Sequence, residues 1–389
     1  MLDDVRSLER LSVTEVPTGW RLGSVGEACS IRNDLRLPLS VEVRQQMQGT
    51  FPYYGPTGIL DYLNEYRAEG DFALIGEDGD HFLDVQAKQQ TVRISGRSNV
   101  NNHAHVIEHS DACEVDWFYY FFQHRDIYHS LTRQGAGRFK LTKAALEQLP
   151  ILLPPLPEQR KIVEILRTWD EAIDACERRG AALRQQVDGL RVKLFEAAFS
   201  HANRVRQAKE LFEPVSEKNQ PELPLLAVMQ DIGVVRRDEL DRRVVMPDGS
   251  IDGYKVVREG DFVISLRSFE GGLEFSQVTG LVSPAYTVLR PNGGDYVGNY
   301  YRHFFKSRSF IGRLDRLIFG IRDGKQISFR DFGDMKIPNP TEDDQSKASA
   351  LLGLAERQIR LASQEKLKFQ EQKRGLMQKL LTGEWRVNV

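Results

Sequence analysis

From Ile162 onward, apolar residues return at alternating steps of four and three: Ile162, Leu166, Trp169, Ile173, Cys176, then Leu183, Val187, Leu190, Leu194 and Ala197. Gly180 is the one interruption. A repeat averaging about 3.5 residues predicts a long helix with a coiled-coil seam. A weaker series follows the same rule: Ala348, Leu352, Ala355, Ile359 and Ala362, then Lys366, Phe369, Lys373, Leu376 and Leu380. Both have helix-entry chemistry. Pro157 suits a first turn, and Glu158 suits the positive end of the helix dipole. In the second copy Thr341 can cap and Asp344 can complete a capping box. Neither helix can bury its stripe alone, so the two are expected to pair with each other in opposite directions. At ~1.5 Å per residue each would be a rod of roughly 60 Å, a spacer with a globular region at either end.

Ahead of each helix the period shortens. Runs such as DFALIG, QTVRIS, DFVISL and AYTVLR are rich in β-formers and bounded by Gly, Asn, Asp and Pro, which predicts short strands. Within these mixed regions DWFYYFFQHRD and NYYRHFFKSRS read as amphipathic helices.

The two halves are copies. A shift of 186 positions lays Leu153–Leu166 on Asn339–Leu352, so Pro154 meets Pro340, Glu158 meets Asp344, Gln159 meets Gln345 and Lys161 meets Lys347. Further on, Gly189, Leu190, Lys193 and Leu194 meet Gly375, Leu376, Lys379 and Leu380, with no gap. Upstream, Leu141-Thr142 meets Ile327-Ser328. Slightly different shifts align FFQHR (Phe121–Arg125) with FFKSR (Phe304–Arg308), and EGDF at Glu69–Phe72 with EGDF at Glu259–Phe262. Such changes of register are what loop insertions produce in a duplicated unit. Both EGDF copies are expected to end a turn and launch a core strand, with structural Asp residues. The chain divides into residues 1–156, 157–205, 206–340 and 341–389: mixed domain, helix, mixed domain, helix. The fold class is α/β (α+β), with an internal pseudo-twofold repeat.

Composition narrows the classes. The start, MLDDVRSLER, is acidic and polar, unlike a signal peptide, and no apolar run approaches the ~20 residues of a membrane span. Cys29, Cys113 and Cys176 are scattered, which suits a reducing cytoplasm and gives neither a metal spacing nor a disulfide framework. The net charge of -2 gives no general field for nucleic acid, and residues 1–156 hold 15 Lys+Arg against 21 Asp+Glu. Any DNA contact must come from local basic patches.

The stretch LPILLPPLPEQRKIVEIL, the terminal QKRGLMQKLLTGEWRV and the run GDFVIS…GLVSPAYTVLRP at Gly260–Pro291 closely resemble the specificity subunits of type I restriction-modification systems. The likeness covers the whole chain in the family's order. It departs at the second junction, where NPTEDDQ replaces PPLPEQ. The resemblance implies a non-catalytic, cytoplasmic DNA-binding subunit. Two target recognition domains, separated by two long antiparallel helices, would each read half of a split double-stranded site. The helices would bind two modification (methyltransferase) subunits, and restriction subunits would join the complex. S-adenosylmethionine, ATP and Mg would belong to those partners, and this chain would carry no cofactor and no metal.

Base edges are read by Arg, Lys, Asn and Gln, and phosphates by basic and small polar groups. In the first domain RISGRSNVNNHAH gathers Arg93, Arg97, Asn99, Asn101, Asn102 and His103, although Asn-driven turns of a solvated loop give the same composition. The island TRQGAGRFKLTK adds Arg133, Gln134, Arg138, Lys140 and Lys143 to an otherwise acidic domain. The matching place in the second domain, RLIFGIRDGKQISFRD, offers Arg316, Arg322, Lys325, Gln326 and Arg330, and Arg267 is a further candidate. Catalysis has little support: an Asn-Pro-Pro-Tyr methyltransferase motif, a Gly-rich cofactor loop and a P-loop lysine are all missing. Asp80, Asp84 and Lys88 imitate part of a metal-dependent nuclease, but Gln86 stands where its second carboxylate would be. Two rivals remain at this level: a stand-alone nuclease or methyltransferase, and a coiled-coil scaffold that touches only protein.

Overall fold

The structure, a computed structural model, describes residues 11, 13–85, 87–134, 138–200, 204–230, 232–240, 251, 253–264, 272–294, 296–318 and 328–388. It divides into two compact units, Met1–Ala175 with Glu365–Val389, and Cys176–Gln364. Each unit holds one mixed region and a stretch of both long helices.

In the first unit, β1 (Arg21–Ser24), the short helix α1 (Val25–Ala28) and β2 (Ser30–Ile31) lead to helix α2 (Val41–Gln46). Strands β3 (Gln48–Gly55), β4 (Gly58–Leu63), β5 (Ala68–Gly76), β6 (Thr91–Val100) and β7 (Ala104–Glu108) follow. They join β2 in a six-stranded sheet of order β2-β7-β5-β6-β3-β4, parallel only between β3 and β6. The two-residue strand period shows in β5, whose Ala73 and Ile75 enter one core and whose Phe72 and Leu74 enter another. Helix α3 (Val115–Phe122) fills the larger core with Trp117, Phe118, Phe121 and Phe122. The Trp117 indole N–H is satisfied there, donating to the Leu152 carbonyl at 2.9 Å. A hairpin of β8 (Thr132–Gln134) and β9 (Arg138–Lys140) precedes helix α4 (Lys143–Glu147). Strand β10 (Pro150–Leu153) then pairs antiparallel with β1.

Helix α5 (Leu156–Phe199) runs from this unit into the second, where β11 (Val205–Gln207) and helix α6 (Ala208–Leu211) repeat the entry. Strands β12 (Phe212–Val215), β13 (Leu226–Met229), β14 (Gly233–Arg236) and β15 (Lys255–Val257) come next. After them lie β16 (Phe262–Ile264), β17 (Glu274–Phe275), β18 (Gly280–Val282) and β19 (Thr287–Pro291). The largest sheet has the order β12-β19-β16-β17. Phe212 sits at the centre of its core, with the rings of Phe262, Tyr301 and Phe305 at 5.3–5.7 Å. Helices α7 (Gly298–Phe305), α8 (Arg308–Ile318) and α9 (Phe329–Gly333) lead to β20 (Lys336–Pro338), which pairs antiparallel with β11 as β10 does with β1. Helix α10 (Glu342–Leu381) closes the chain's regular structure.

The duplication is therefore a duplication of frame. Thr142 caps α4 by accepting from the Ala145 N–H, and its counterpart Ser328 caps α9 by accepting from the Asp331 N–H. At the junctions, the Gln159 amide accepts from the Glu114 N–H (2.9 Å) and donates to the carbonyls of Pro154 and Ala112. Gln345 accepts from the Val297 N–H (2.9 Å) and donates to the Pro340 carbonyl and the Asn339 side chain. Both glutamines are fully buried, and each ties the first turn of a long helix to the start of an aromatic one. The acids beside them are both paired, with different partners. Glu158 holds the Trp20 indole and the Arg386 guanidinium, and Asp344 pairs with Arg204 at 3.0 Å. Thr341 does cap α10, accepting from the Asp344 N–H at 3.3 Å.

The seams hold within each unit. Ile162 and Leu166 of α5 share a core with Leu376, Met377 and Leu380 of α10, and Trp169 meets Phe369 edge to face at 5.8 Å. In the second unit Val187, Leu190 and Leu194 share a core with Ala348, Leu352 and Ile359. The order of partners is antiparallel in both. Near the end of α5 the stripe turns: Phe195 and Ala198 are buried, and Ala197 is exposed. A straight helix drifts against a 3.5-residue repeat, and the large Phe195 ring captures the seam.

The EGDF copies differ from expectation. Gly70 and Gly260 both have positive φ (138° and 91°), and Phe72 and Phe262 are both buried. The second copy ends a turn and opens β16, but the first lies inside β5, with Glu69 opposite Arg97 and Asp71 opposite Ser95. The long neighbour β6 supplies partners for those residues, so the strand continues through the position where the second unit turns. Asp261 is structural, accepting from the Arg258 N–H and from Arg290 at 3.0 and 2.8 Å. Among the described residues no helix is long and apolar enough to cross a membrane.

Candidate nucleic-acid interface

Two separate stretches of candidates meet in the first unit. The β6–β7 turn carries Asn101, Asn102 and His103, and the β8–β9 hairpin carries Arg133 and Lys140. They converge on Glu77 and Asp78, at the end of β5. The Glu77 N–H donates to the His103 carbonyl, the His103 ring lies 2.9 Å from Asp78, and Asp78 bridges to Lys140. Lys140 Nζ reaches Glu77 at 2.8 Å, and Arg36 reaches the same carboxylate at 2.7 Å. Burial alone would raise the Glu77 carboxyl, but Lys140, His105 and Arg36 hold it below its ordinary value. The result is an amide-bearing surface around a half-buried acid, Glu77, whose charge Lys140 and Arg36 offset, with Asn102, His103 and Arg133 exposed beside it. Arg133 is exposed on the outer strand of the hairpin, and Lys143 opens α4 with Glu147 3.6 Å away. The side chains of Gln134 and Arg138 lie outside the described residues.

The remaining first-domain candidates have structural partners. Arg93 is half-buried between Asp116 and Asp71, whose charges outweigh the burial and raise its pKa. Asn99 is buried and donates to the Glu65 carbonyl at 2.7 Å. Asn101 shapes the turn, accepting from the His103 N–H at 2.8 Å. Arg97 keeps a half-exposed guanidinium, which donates to Glu69 and lies over the Tyr66 ring at 4.8 Å. Pattern reading missed Arg36. It stands in RNDLRLP, a second basic island of the acidic domain, passed over because no glycine marks it as a loop.

In the second unit, Arg330 is exposed in the first turn of α9, one position from the counterpart of Lys143 in α4. Arg267, Arg322, Lys325 and Gln326 lie outside the described residues, as does the side chain of Arg316. The nuclease look-alike resolves into an ion-paired turn, with Lys88 at 2.9 Å from Asp80 and Asp84 accepting from the Ala87 N–H. Among the described residues no cluster of His, Cys, Asp or Glu could hold a metal ion. What the surface offers is hydrogen-bond donors on a turn and, on a two-stranded ribbon, the exposed Arg133. A β-ribbon of this size can enter a DNA major groove.

Residues 17–185 match the family model of the type I restriction modification DNA specificity domain. A type I restriction enzyme specificity subunit of Haemophilus influenzae is 38% identical over 140 residues, 36% of this chain and 34% of that protein. The matched part thus spans about a third of that relative. The MjaVIII specificity subunit of Methanocaldococcus jannaschii is 20% identical over 405 residues, covering 96% of this chain and 94% of its own. In three dimensions the S subunit of a type I restriction-modification system from M. genitalium aligns over 95% of this chain and 97% of its own, with a TM-score of 0.60 and 12% identity. A chain from a structure concerned with complex assembly and conformational transition of the type I R-M system aligns over 95% of this chain, with a TM-score of 0.54 and 16% identity. Residues 17–185 are thus similar to the type I restriction modification DNA specificity domain, and the chain as a whole shares the fold of the solved S subunit.

Proposed function

We infer that this chain is the DNA-reading subunit of a type I restriction-modification enzyme and performs no chemistry itself. Its two mixed regions would read the two halves of a bipartite duplex site, and its long helices would bind modification subunits, with restriction subunits completing the complex. S-adenosylmethionine, ATP and Mg would act on those partners. The observation that carries this reading is the frame built twice. Strand pairing, capped exit helix, buried junction glutamine and paired helix acid recur in both units, as a reader of two half-sites requires. An exposed surface of Asn102, His103 and Arg133 in the first unit and Arg330 at the corresponding exit helix of the second supply suitable chemistry. Arg36, Arg97, Asn102, His103, Arg133, Lys140 and Lys143 are the first unit's candidates for contact with DNA.

The test is methylome sequencing of a methylation-free host that expresses this chain with the modification subunit encoded beside it. A methylated-adenine motif of two short blocks around a fixed gap is the expected outcome. No motif from an assembled complex would overturn the reading in favour of a protein-only scaffold. Methylation or cleavage by the purified chain alone would overturn it in favour of an enzyme.

A further inference from the structure

A charge cluster joins the two long helices in each unit, buried in the seam at Lys373 in the first and half-buried beside the seam at Glu356 in the second. In the first, Lys373 of α10 is only 7% exposed and occupies a seam position where an apolar residue is the rule. Its ammonium meets Asp170 of α5 at 2.5 Å and lies 3.4 Å from the Gln123 amide oxygen. The other oxygen of Asp170 accepts from the Tyr120 hydroxyl, on α3, at 2.7 Å. In the second unit Glu356 of α10 accepts from Arg191 of α5 at 2.9 Å. On the α7 side it accepts from Arg302 at 2.7 Å and lies 3.2 Å from His303 Nδ1.

The repeat relates these clusters. The shift of 186 positions that aligns the long helices places Asp170 on Glu356, and the shift of 183 that aligns the aromatic helices places Tyr120 on His303. In each unit an acid of one long helix is held between a donor from the aromatic helix and a base from the other long helix. Between the units, α5 and α10 exchange the acidic and basic roles. The acid and the aromatic-helix donor are thus kept at equivalent positions of the repeat, whereas the base is not, since the same shift places Lys373 on Val187 and Arg191 on Met377.

An apolar seam tolerates a slip of one heptad, because one Leu or Ala replaces another. A buried charge does not, since slippage leaves it unpaired in an apolar layer. The third partner comes from the recognition region, so the same bonds fix that region's place along the helix pair. We propose that Asp170 with Lys373 and Tyr120, and Glu356 with Arg191 and His303, are positioning residues that lock helix register and thereby set how strictly the gap between half-sites is enforced. This rests on the reading of the chain as a bipartite DNA reader.

The proposal is tested on the full chain, expressed with its modification subunit, in K373M and in the charge swap D170K/K373D. Met fills the seam without charge, so K373M is expected to fold. Methylome sequencing should show unchanged half-sites in K373M, with methylation at gaps other than the wild-type one raised by roughly tenfold, the scale of coupling between contacting residues. The charge swap should return methylation to the single wild-type gap. One unchanged gap in K373M would overturn the proposal, and so would relaxation that the swap fails to reverse. A second readout does not depend on DNA. In the purified chain carrying C176A, cysteines introduced as W169C and F369C should form a disulfide under mild oxidation. The pair W169C and L376C, one heptad away, should form one only when K373M is also present. Equal cross-linking of that second pair with and without K373M would sink the lock. If the wild type itself shows no two-part motif, the functional reading fails, and the cross-links still decide the register.

Discussion

Glu356 lies among three groups that favour its negative charge. Burial alone would raise its carboxyl, but His303 and Arg302 hold its pKa down to about 2, and Arg191 pairs with the same carboxylate at 2.9 Å. Burial also pushes the His303 imidazole below its ordinary value. Both shifts act in one direction. A carboxyl with a depressed folded pKa stabilises the fold fully above its unfolded pKa and loses that contribution as pH falls through the folded value. A histidine held neutral adds the same sign, being stabilising above its unfolded pKa and penalising acid. The expected outcome is that E356Q destabilises the second unit most above about pH 5 and that its difference from wild type shrinks toward pH 2. Denaturant titrations of both proteins across that range measure it, and a difference independent of pH would contradict the assignment. None of this was legible in the sequence. Lys366 and Lys373 showed only as weak points in a seam, and their partners lie far away in the chain. The same limit applied to the DNA candidates. Arg93 looked free in RISGRSN, yet the β5–β6 register and α3 bring Asp71 and Asp116 to it. Composition locates a basic island and cannot say which of its charges another strand has already paired.

At the scale of elements, much more could be read. As far as they are described, the four β-rich runs and the two aromatic stretches form the predicted elements, because periodicity and bounding turns are local signals. Sheet order was not local and was not legible. Nothing in the sequence places β6 between β5 and β3, or sends β10 back to β1 across more than a hundred residues. The seams were read correctly except at the end of α5, where Phe195 replaces the expected phase. Their phase supports a prediction about length. Seven residues inserted into both long helices, after Cys176 and after Ala362, keep the heptad and add about 10 Å at 1.5 Å per residue. The methylated motif should then keep both half-sites and lengthen its gap by about three base pairs, at 3.4 Å each. Five residues inserted at the same places turn the apolar stripe by about 140°, off its partner, and the complex should fail to assemble. An unchanged gap in the heptad variant, with an intact complex, would remove the helices from the spacing mechanism.

At the scale of the whole molecule, the duplication carries the argument. Each unit has its own aromatic core and its own junction glutamine, and the cores share no residue. Recognition should therefore be modular. Arg133 on the β8–β9 hairpin and Arg330 on α9 serve as one probe in each unit, because both are exposed and neither belongs to a core. If each contacts its own half-site, R133A should cost about 1–3 kcal/mol on the first half-site and leave discrimination at the second untouched, with R330A doing the converse. With no partners in common, the two losses should add to within about 0.5 kcal/mol in the double variant. The measurement is duplex affinity of the assembled complex at one fixed salt concentration, since the overall charge of -2 makes every contact with DNA local and screened. Substituted duplexes, altered in one half at a time, separate the two readings. A loss shared equally by both halves would mean that the arginine contacts phosphate without reading a base, or that the units are coupled. The salt slope distinguishes these outcomes, because a lost phosphate contact lowers it by about 0.9 and coupling between units leaves it unchanged.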